Sequence, residues 1–147
     1  MSDVQRKTLS YSIAQLMPHI IQGVHLDFMI KKAITQTQFL VMVAIYSNGR
    51  CPMNRLANNM QVTMPTMSGI VNRLVLAGYV RRVAAAEDRR QVVVELTPAG
   101  LQLIKEFQGA ISQRWREILK GLNSEEVSSF ARVIERMRET LRGKKRE

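Results

Sequence analysis

The sequence predicts a mainly α-helical fold carrying one small β-hairpin, and three observations predict it. Residues 92–96, Val-Val-Val-Glu-Leu, read as a half-buried strand that follows the charged run Glu87-Asp88-Arg89-Arg90. Just upstream, Val80-Arg81-Arg82-Val83 reads as its partner strand. A helix with turn signals at both ends, Thr63 to Gly78, leads directly into this hairpin. Helix followed by basic β-ribbon is the order of a winged helix-turn-helix. A tip with two arginines suits the gripping of polyphosphate. The same residues taken alone also fit an ordinary hairpin with solvated charges, and the flanking elements weigh against that.

The other elements follow in chain order. Residues 4–34 place Ile13, Leu16, Ile20, Val24 and Phe28 at helical spacing, and Pro18 interrupts the pattern with a kink or a break near Met17. Thr35 with Gln38 forms a capping-box pattern that starts a helix through about Ser47, with Phe39, Leu40, Val43 and Tyr46 inward and Asn48-Gly49 closing it. Arg50-Cys51-Pro52-Met53 is a short extended connector. A brief helix over 54–60 turns inward Leu56, Ala57 and Met60, and Gln61-Val62 is the turn. Thr63 caps the next helix, where Pro65 is tolerated because first-turn amides lack helical partners; its inward face is Met67, Ile70, Val71 and Leu74. Two helices of these lengths with a tight turn have helix-turn-helix dimensions.

After the hairpin, Thr97 and Pro98 start another helix. Leu101, Ile104, Ile111, Trp115, Ile118 and Leu122 line one seam of it. Asn123 with Glu126 forms a second capping box, and Val127, Phe130, Ile134, Met137 and Leu141 continue the spacing. Such narrow apolar stripes suit helix–helix association, and pairing between two chains is favoured over packing within one. The chain thus reads as one domain: a DNA-binding lobe over 35–100, flanked by dimerisation helices over 4–34 and 101–142.

Composition narrows the function. A net charge of +10 and a pI near 10.5 point to a polyanionic partner, nucleic acid or anionic membrane. Residues 101–147 mix eleven basic with seven acidic side chains, which argues against a membrane-binding basic helix. Without a run of 18 apolar residues or a signal-peptide pattern, the expectation is a cytoplasmic chain with no membrane partner. A single cysteine, Cys51, with only His19 and His25 beside it, excludes an internal disulfide and a zinc site of structural type. No Gly-rich phosphate loop or nucleophile–base arrangement is present, so the expectation is neither an enzyme nor a cofactor binder.

Taken in order and spacing, Leu56-Ala57, Val71-Asn72-Arg73-Leu74, Gly78-Tyr79-Val80, Asp88-Arg89-Arg90 and Leu96-Thr97-Pro98-Ala99-Gly100 resemble the MarR family of transcription regulators. The resemblance is strongest over 35–100 and reaches nearly the whole chain. It implies a homodimer with two winged helix-turn-helix lobes, binding a palindromic operator in double-stranded DNA. Many members are repressors released by small phenolic or amphipathic ligands, or by oxidants.

On that resemblance the helix from Thr63 enters the major groove with its first turn foremost. Thr66 and Ser68 offer hydroxyls, and Met64 and Met67 can meet thymine methyls; Pro65 belongs to the same turn. Thr63 serves as cap, as DNA contact, or both, and Met67 fits the core at least as well as a contact. Arg73 reaches a phosphate or wing Asp88, and Arg55 reaches a backbone phosphate. One of Arg89 and Arg90 is implied to enter the minor groove, oriented by Asp88. Arg81 and Arg82, adjacent on a strand, point to opposite faces, so at most one faces DNA. Gly69 departs from the family, whose members often carry a long polar residue there. The family's ligand pocket implies residues near Tyr11, His19, Phe28, the 35–47 helix and Arg50. The redox branch carries its reactive cysteine near the N-terminus. Here only Cys51, just before the short helix, is available for that chemistry. The competing functions are an architectural DNA-binding protein with weak sequence preference and a redox-responsive regulator using Cys51.

Overall fold

The computed structural model describes residues 2–85 and 91–143. Glu87, Asp88, Arg89 and Arg90, the expected wing tip, lie outside the described residues. Residues up to Ala110 form one compact unit and those from Ile111 a second.

The first helix, α1 (Asp3–Ile21), opens on a capping box. Ser2 Oγ accepts the Gln5 amide at 3.4 Å, and Gln5 Oε1 accepts the Ser2 amide at 3.2 Å. Of the two outcomes expected at Pro18, a kink or a break near Met17, the break does not occur. The helix runs through Pro18 and ends one turn later, where the Gln22 amide donates to the Pro18 carbonyl at 2.8 Å and Gly23 takes φ +83°. Pro18 removes one amide donor, and this part of α1 is exposed, so water can serve the carbonyl left over. Gly23 instead enters the left-handed region freely, and that turns the chain.

Helix α2 (Val24–Lys32) ends at Ala33, a non-glycine residue at φ +52°, with the Ile34 amide donating to the Met29 carbonyl at 3.1 Å. Helix α3 (Gln36–Asn48) starts on the expected Thr35–Gln38 capping box, whose two bonds measure 3.0 and 3.2 Å. Its inward face differs from expectation. Phe39, Val41, Met42 and Ile45 are buried, whereas Leu40 and Tyr46 are 46% and 43% exposed. The run from Phe39 to Tyr46 is apolar throughout, so its periodicity carries no phase.

The extended connector is a strand, β1 (Cys51–Pro52). It leads into α4 (Met53–Asn59), a turn with Gln61 at φ +55°, and α5 (Met64–Leu76). The hairpin strands are β2 (Val80–Ala84) and β3 (Val92–Leu96). The sheet is antiparallel with order β1-β3-β2; Val94 lies opposite both Cys51 and Arg82. Met67, Val71 and Leu74 of α5 and Leu56 and Ala57 of α4 are buried as the spacing predicts, and Ile70 and Met60 are half-buried. Each fully buried aliphatic side chain contributes about 1.5–3 kcal/mol. A group of edge-to-face rings, His25, Phe28, Phe39 and Phe107, with centroids 4.6 to 6.2 Å apart, adjoins this core.

The start of α6 (Pro98–Leu119) is tied to the turn before β2. Thr97 Oγ1 accepts the Gly100 amide at 3.1 Å and donates to the Gly78 carbonyl at 2.5 Å; the Thr97 amide donates to the Tyr79 carbonyl at 3.0 Å. A Cβ on Gly100 would stand 2.1 Å from the Tyr79 oxygen. The Leu-Thr-x-x-Gly pattern is therefore a close approach of helix to turn, possible only without a side chain.

In the second unit, Asn123 Oδ1 accepts the Glu125 and Glu126 amides at 3.0 Å, and Glu126 Oε2 accepts the Asn123 amide at 2.9 Å. This is the second expected capping box, and it opens α7 (Ser124–Gly143). No residue of α7 is buried; Val127, Phe130, Ile134, Met137 and Leu141 all lie exposed. With Trp115 and Leu119 the first three line an open groove of about 570 Å3.

Candidate nucleic-acid interface

The outer face of α5 is built from its cap upward. Thr63 Oγ1 accepts the Thr66 amide at 3.3 Å and donates to Thr66 Oγ1 at 2.9 Å. Thr63 is thus occupied as a cap, and the proton of the Thr66 hydroxyl is left to point elsewhere. Met64, Pro65 and Ser68 line an open groove of about 590 Å3 with Met53 and Asn54 from the start of α4 and Arg82, Gln91 and Val92 from the hairpin. Three expected residues therefore share one concave surface between helix and wing. Met67 is not among them: it has no exposed surface and belongs to the core.

Thr66, Gly69 and Arg73 are exposed along the rest of this face, and Arg55 is exposed on α4. A Cβ on Gly69 would meet no atom within 4 Å, so the helix presents bare backbone there. The free amides and the positive end of α5 lie at the same end as Met64 and Pro65 and favour an anion.

The two strand arginines point apart, as their adjacency predicts. Arg81 Nε donates to Glu95 Oε1 at 2.6 Å, while Arg82 Nη2 donates to Asn72 Oδ1 of α5 at 2.6 Å. Arg82 is the one on the groove. Sequence reasoning left open which of Arg81 and Arg82 faces the groove, and passed over Asn54 and Gln91 on its wall and Asn72 as the partner of Arg82. The signal available for Asn72 was its place on the helix, three residues after Gly69 on the face opposite Met67 and Leu74. Nothing in the sequence gave the phase of Arg82 relative to the helix.

Glu95 also accepts from Arg50 Nε at 2.8 Å, so one carboxylate joins the α3–β1 connection to both hairpin strands. Its hydrogen bonds with Arg50 and Arg81 hold its pKa below the usual carboxylate range. Beside this cluster lies an open pocket of about 420 Å3 lined by Ile45, Tyr46, Gly49, Arg50, Leu96 and Leu101. Of the four residues expected near a ligand, Arg50 lines this pocket and Phe28 sits in the ring cluster. Tyr11 and His19 are exposed on α1, with His19 Nδ1 3.2 Å from the Gln15 carbonyl, and line neither.

Cys51 is wholly buried, and burial pushes its thiol pKa up, against a smaller opposing effect of Arg55. That is the reverse of an activated thiolate. Among the described residues, no single helix is long and apolar enough to cross a membrane. Likewise no group of three or more His, Cys, Asp or Glu side chains converges on a metal position.

Residues 34–92 match the family model described as MarR family. The chain is similar to the HTH-type transcriptional regulator FarR of Neisseria gonorrhoeae, 31% identical over 94 residues, a match spanning 64% of each protein and so just under two thirds of that relative. Its fold is similar to transcriptional regulator Tm0710 of Thermotoga maritima, with TM-score 0.80 at 19% identity over 96% of this chain and 99% of that one. It is also similar to a MepR variant of S. aureus bound to an oligodeoxyribonucleotide, with TM-score 0.66 at 21% identity over 90% of this chain and 97% of that one. The curated relatives are named as transcriptional regulators, and this is the finding that speaks against an enzyme.

Proposed function

We propose that this chain, whose residues 34–92 match the MarR family model, is a regulator of that family, and that it binds double-stranded DNA as a homodimer and represses transcription from a palindromic operator. The observation that carries this reading is the groove between α5 and the hairpin, where Met64, Pro65 and Ser68 face Arg82 across a concave surface. The first turn of α5 enters the major groove, with Thr66 and Ser68 offering hydroxyls and Met64 an apolar contact to thymine methyls. Arg55 and Arg73 take phosphates. Arg89 and Arg90 carry the wing contact, with Asp88 as the orienting acid.

The two-fold partner covers the apolar stripe that α7 leaves exposed and the exposed Val4, Leu9, Ile13 and Leu16 of α1. A dimer then presents two α5 helices to half-sites about one helical turn apart. Occupying a promoter in this way excludes polymerase.

Release by a small phenolic or amphipathic ligand is favoured by the pocket beside Arg50, whose walls are mostly apolar and whose rim holds the Arg50–Glu95 ion pair. Redox control through Cys51 is disfavoured by its burial.

The test is binding of the purified protein to a labelled duplex carrying the inverted repeat upstream of its own gene, set against unrelated duplex at one fixed salt concentration. A regulator prefers the repeat by about a thousandfold or more. Equal affinity for both duplexes would establish the architectural reading instead. A protein that stays a single subunit and ignores duplexes at low salt would end both.

A further inference from the structure

We propose that Asn72 reads a base and that Arg82 sets which base, so that the position under Asn72 is guanine or thymine and not adenine. This rests on the DNA-binding reading above. Arg82 Nη2 lies 2.6 Å from Asn72 Oδ1. A guanidinium only donates, so the atom it meets on the carboxamide is the oxygen, and the orientation of the amide is settled without ambiguity. The Asn72 NH2 group is then the end of the amide left for another partner.

Asparagine ordinarily pairs with adenine as a fork, its oxygen accepting from N6 and its nitrogen donating to N7. That fork needs both ends of the amide on the base. Here the oxygen end is held by the protein, beside a positive charge that disfavours a second donor. What remains is a donor edge. It suits guanine, with acceptors at N7 and O6, or thymine, with an acceptor at O4. Adenine N7 is flanked by an amine, whose hydrogens would meet those of the amide.

Asn72 has clear access to a duplex. It is exposed on α5, and Gly69, one turn nearer the N-terminus, has no side chain to stand between it and the base edges. Arg82 lines the groove with Ser68 and reaches across from β2. The bond therefore ties wing to helix and fixes a recognition element at once, a positioning role for Arg82 and a specificity role for Asn72.

The experiment is selection from a pool of duplexes randomised within an inverted repeat, at one salt concentration, with the intact dimer as wild type, Asn72→Ala and Arg82→Met. Both side chains are exposed, so both variants fold, which circular dichroism checks. Expected for wild type is G or T at one symmetric half-site position. Asn72→Ala should flatten that preference, by roughly 3- to 10-fold for one hydrogen bond lost. Arg82→Met frees the oxygen and should move the preference at the same position toward adenine, while other positions keep theirs. Adenine chosen by wild type at the Asn72-dependent position overturns the proposal. So does an Asn72→Ala selection identical to wild type, or an Arg82→Met selection that keeps G or T. In each of these cases the enriched repeat itself still upholds DNA binding. Enrichment of no duplex at all by wild type takes both readings down together.

Discussion

Replacing Gly100 by alanine should destabilise the protein even though alanine is the better helix former. The added Cβ would lie 2.1 Å from the Tyr79 oxygen and 3.0 Å from its carbonyl carbon, and both atoms belong to backbone that cannot rotate away. Relief requires helix and turn to separate by about 1 Å, and overpacking of this kind costs about 1–3 kcal/mol. The same movement stretches the bond from the Thr97 amide to Tyr79 and the one from Thr97 Oγ1 to Gly78, with about 1 kcal/mol lost for each broken. Against this stands a propensity gain of at most about 1 kcal/mol. The net expectation is a loss of about 2 kcal/mol. Urea unfolding followed by circular dichroism at one protein concentration measures it, since the stability of a dimer depends on concentration. Gly69→Ala is the matched control. It lies within a helix with nothing near its Cβ position, so it should gain up to about 1 kcal/mol. A Gly100→Ala protein as stable as wild type, or one that gains as Gly69→Ala does, would refute the close-approach argument.

Arg90→Ala should weaken operator binding at least about tenfold and reduce its salt dependence while the dimer stays folded, as titration at several salt concentrations would show. Glu95→Gln should lower the urea midpoint at neutral pH. The folded carboxyl titrates below its ordinary value of 4.5, so its contribution is present above that value and fades as pH falls through the folded pKa; the gap between variant and wild type should close in acid. A gap that widens in acid contradicts the Arg50–Glu95–Arg81 cluster. Ala33→Gly should raise the unfolding free energy by about 0.5 kcal/mol, because it relieves a left-handed alanine at the cost of a looser unfolded chain; a fall would show that φ there is not strained. Cys51 should resist a thiol reagent in the native protein and react only on unfolding, and rapid native labelling would reopen the redox reading.

Much of this architecture was legible because its signals are local. The Thr35–Gln38 and Asn123–Glu126 boxes and the Thr63 and Thr97 caps each need only a side chain and an amide a few residues away, and the structure has each of them. The Ser2–Gln5 box was equally readable and was passed over. What stayed hidden depends on phase or on distant partners. The all-apolar stretch of α3 could not say that Leu40 and Tyr46 face outward. Pro18 drew attention from Gly23, where a positive φ makes the real break. Three of the eight residues that line the groove, Met64, Pro65 and Ser68, were anticipated. Which of Arg81 and Arg82 faces it was left open, because the meeting of Arg82 with Asn72 is set by how β2 lies on α5.

The strand order β1-β3-β2 has a mechanical consequence. The segment containing α4 and α5 leaves the sheet at Pro52 and returns at Val80, and these two points flank the same strand, β3. The two helices are therefore a cartridge clipped in at both ends, its roots about 14 Å apart, two strand spacings across and three residues along one rail. Neither helix can swivel without disengaging a clip. A push delivered to β3, for instance through Glu95, would shift both roots in step and carry the whole cartridge as one piece.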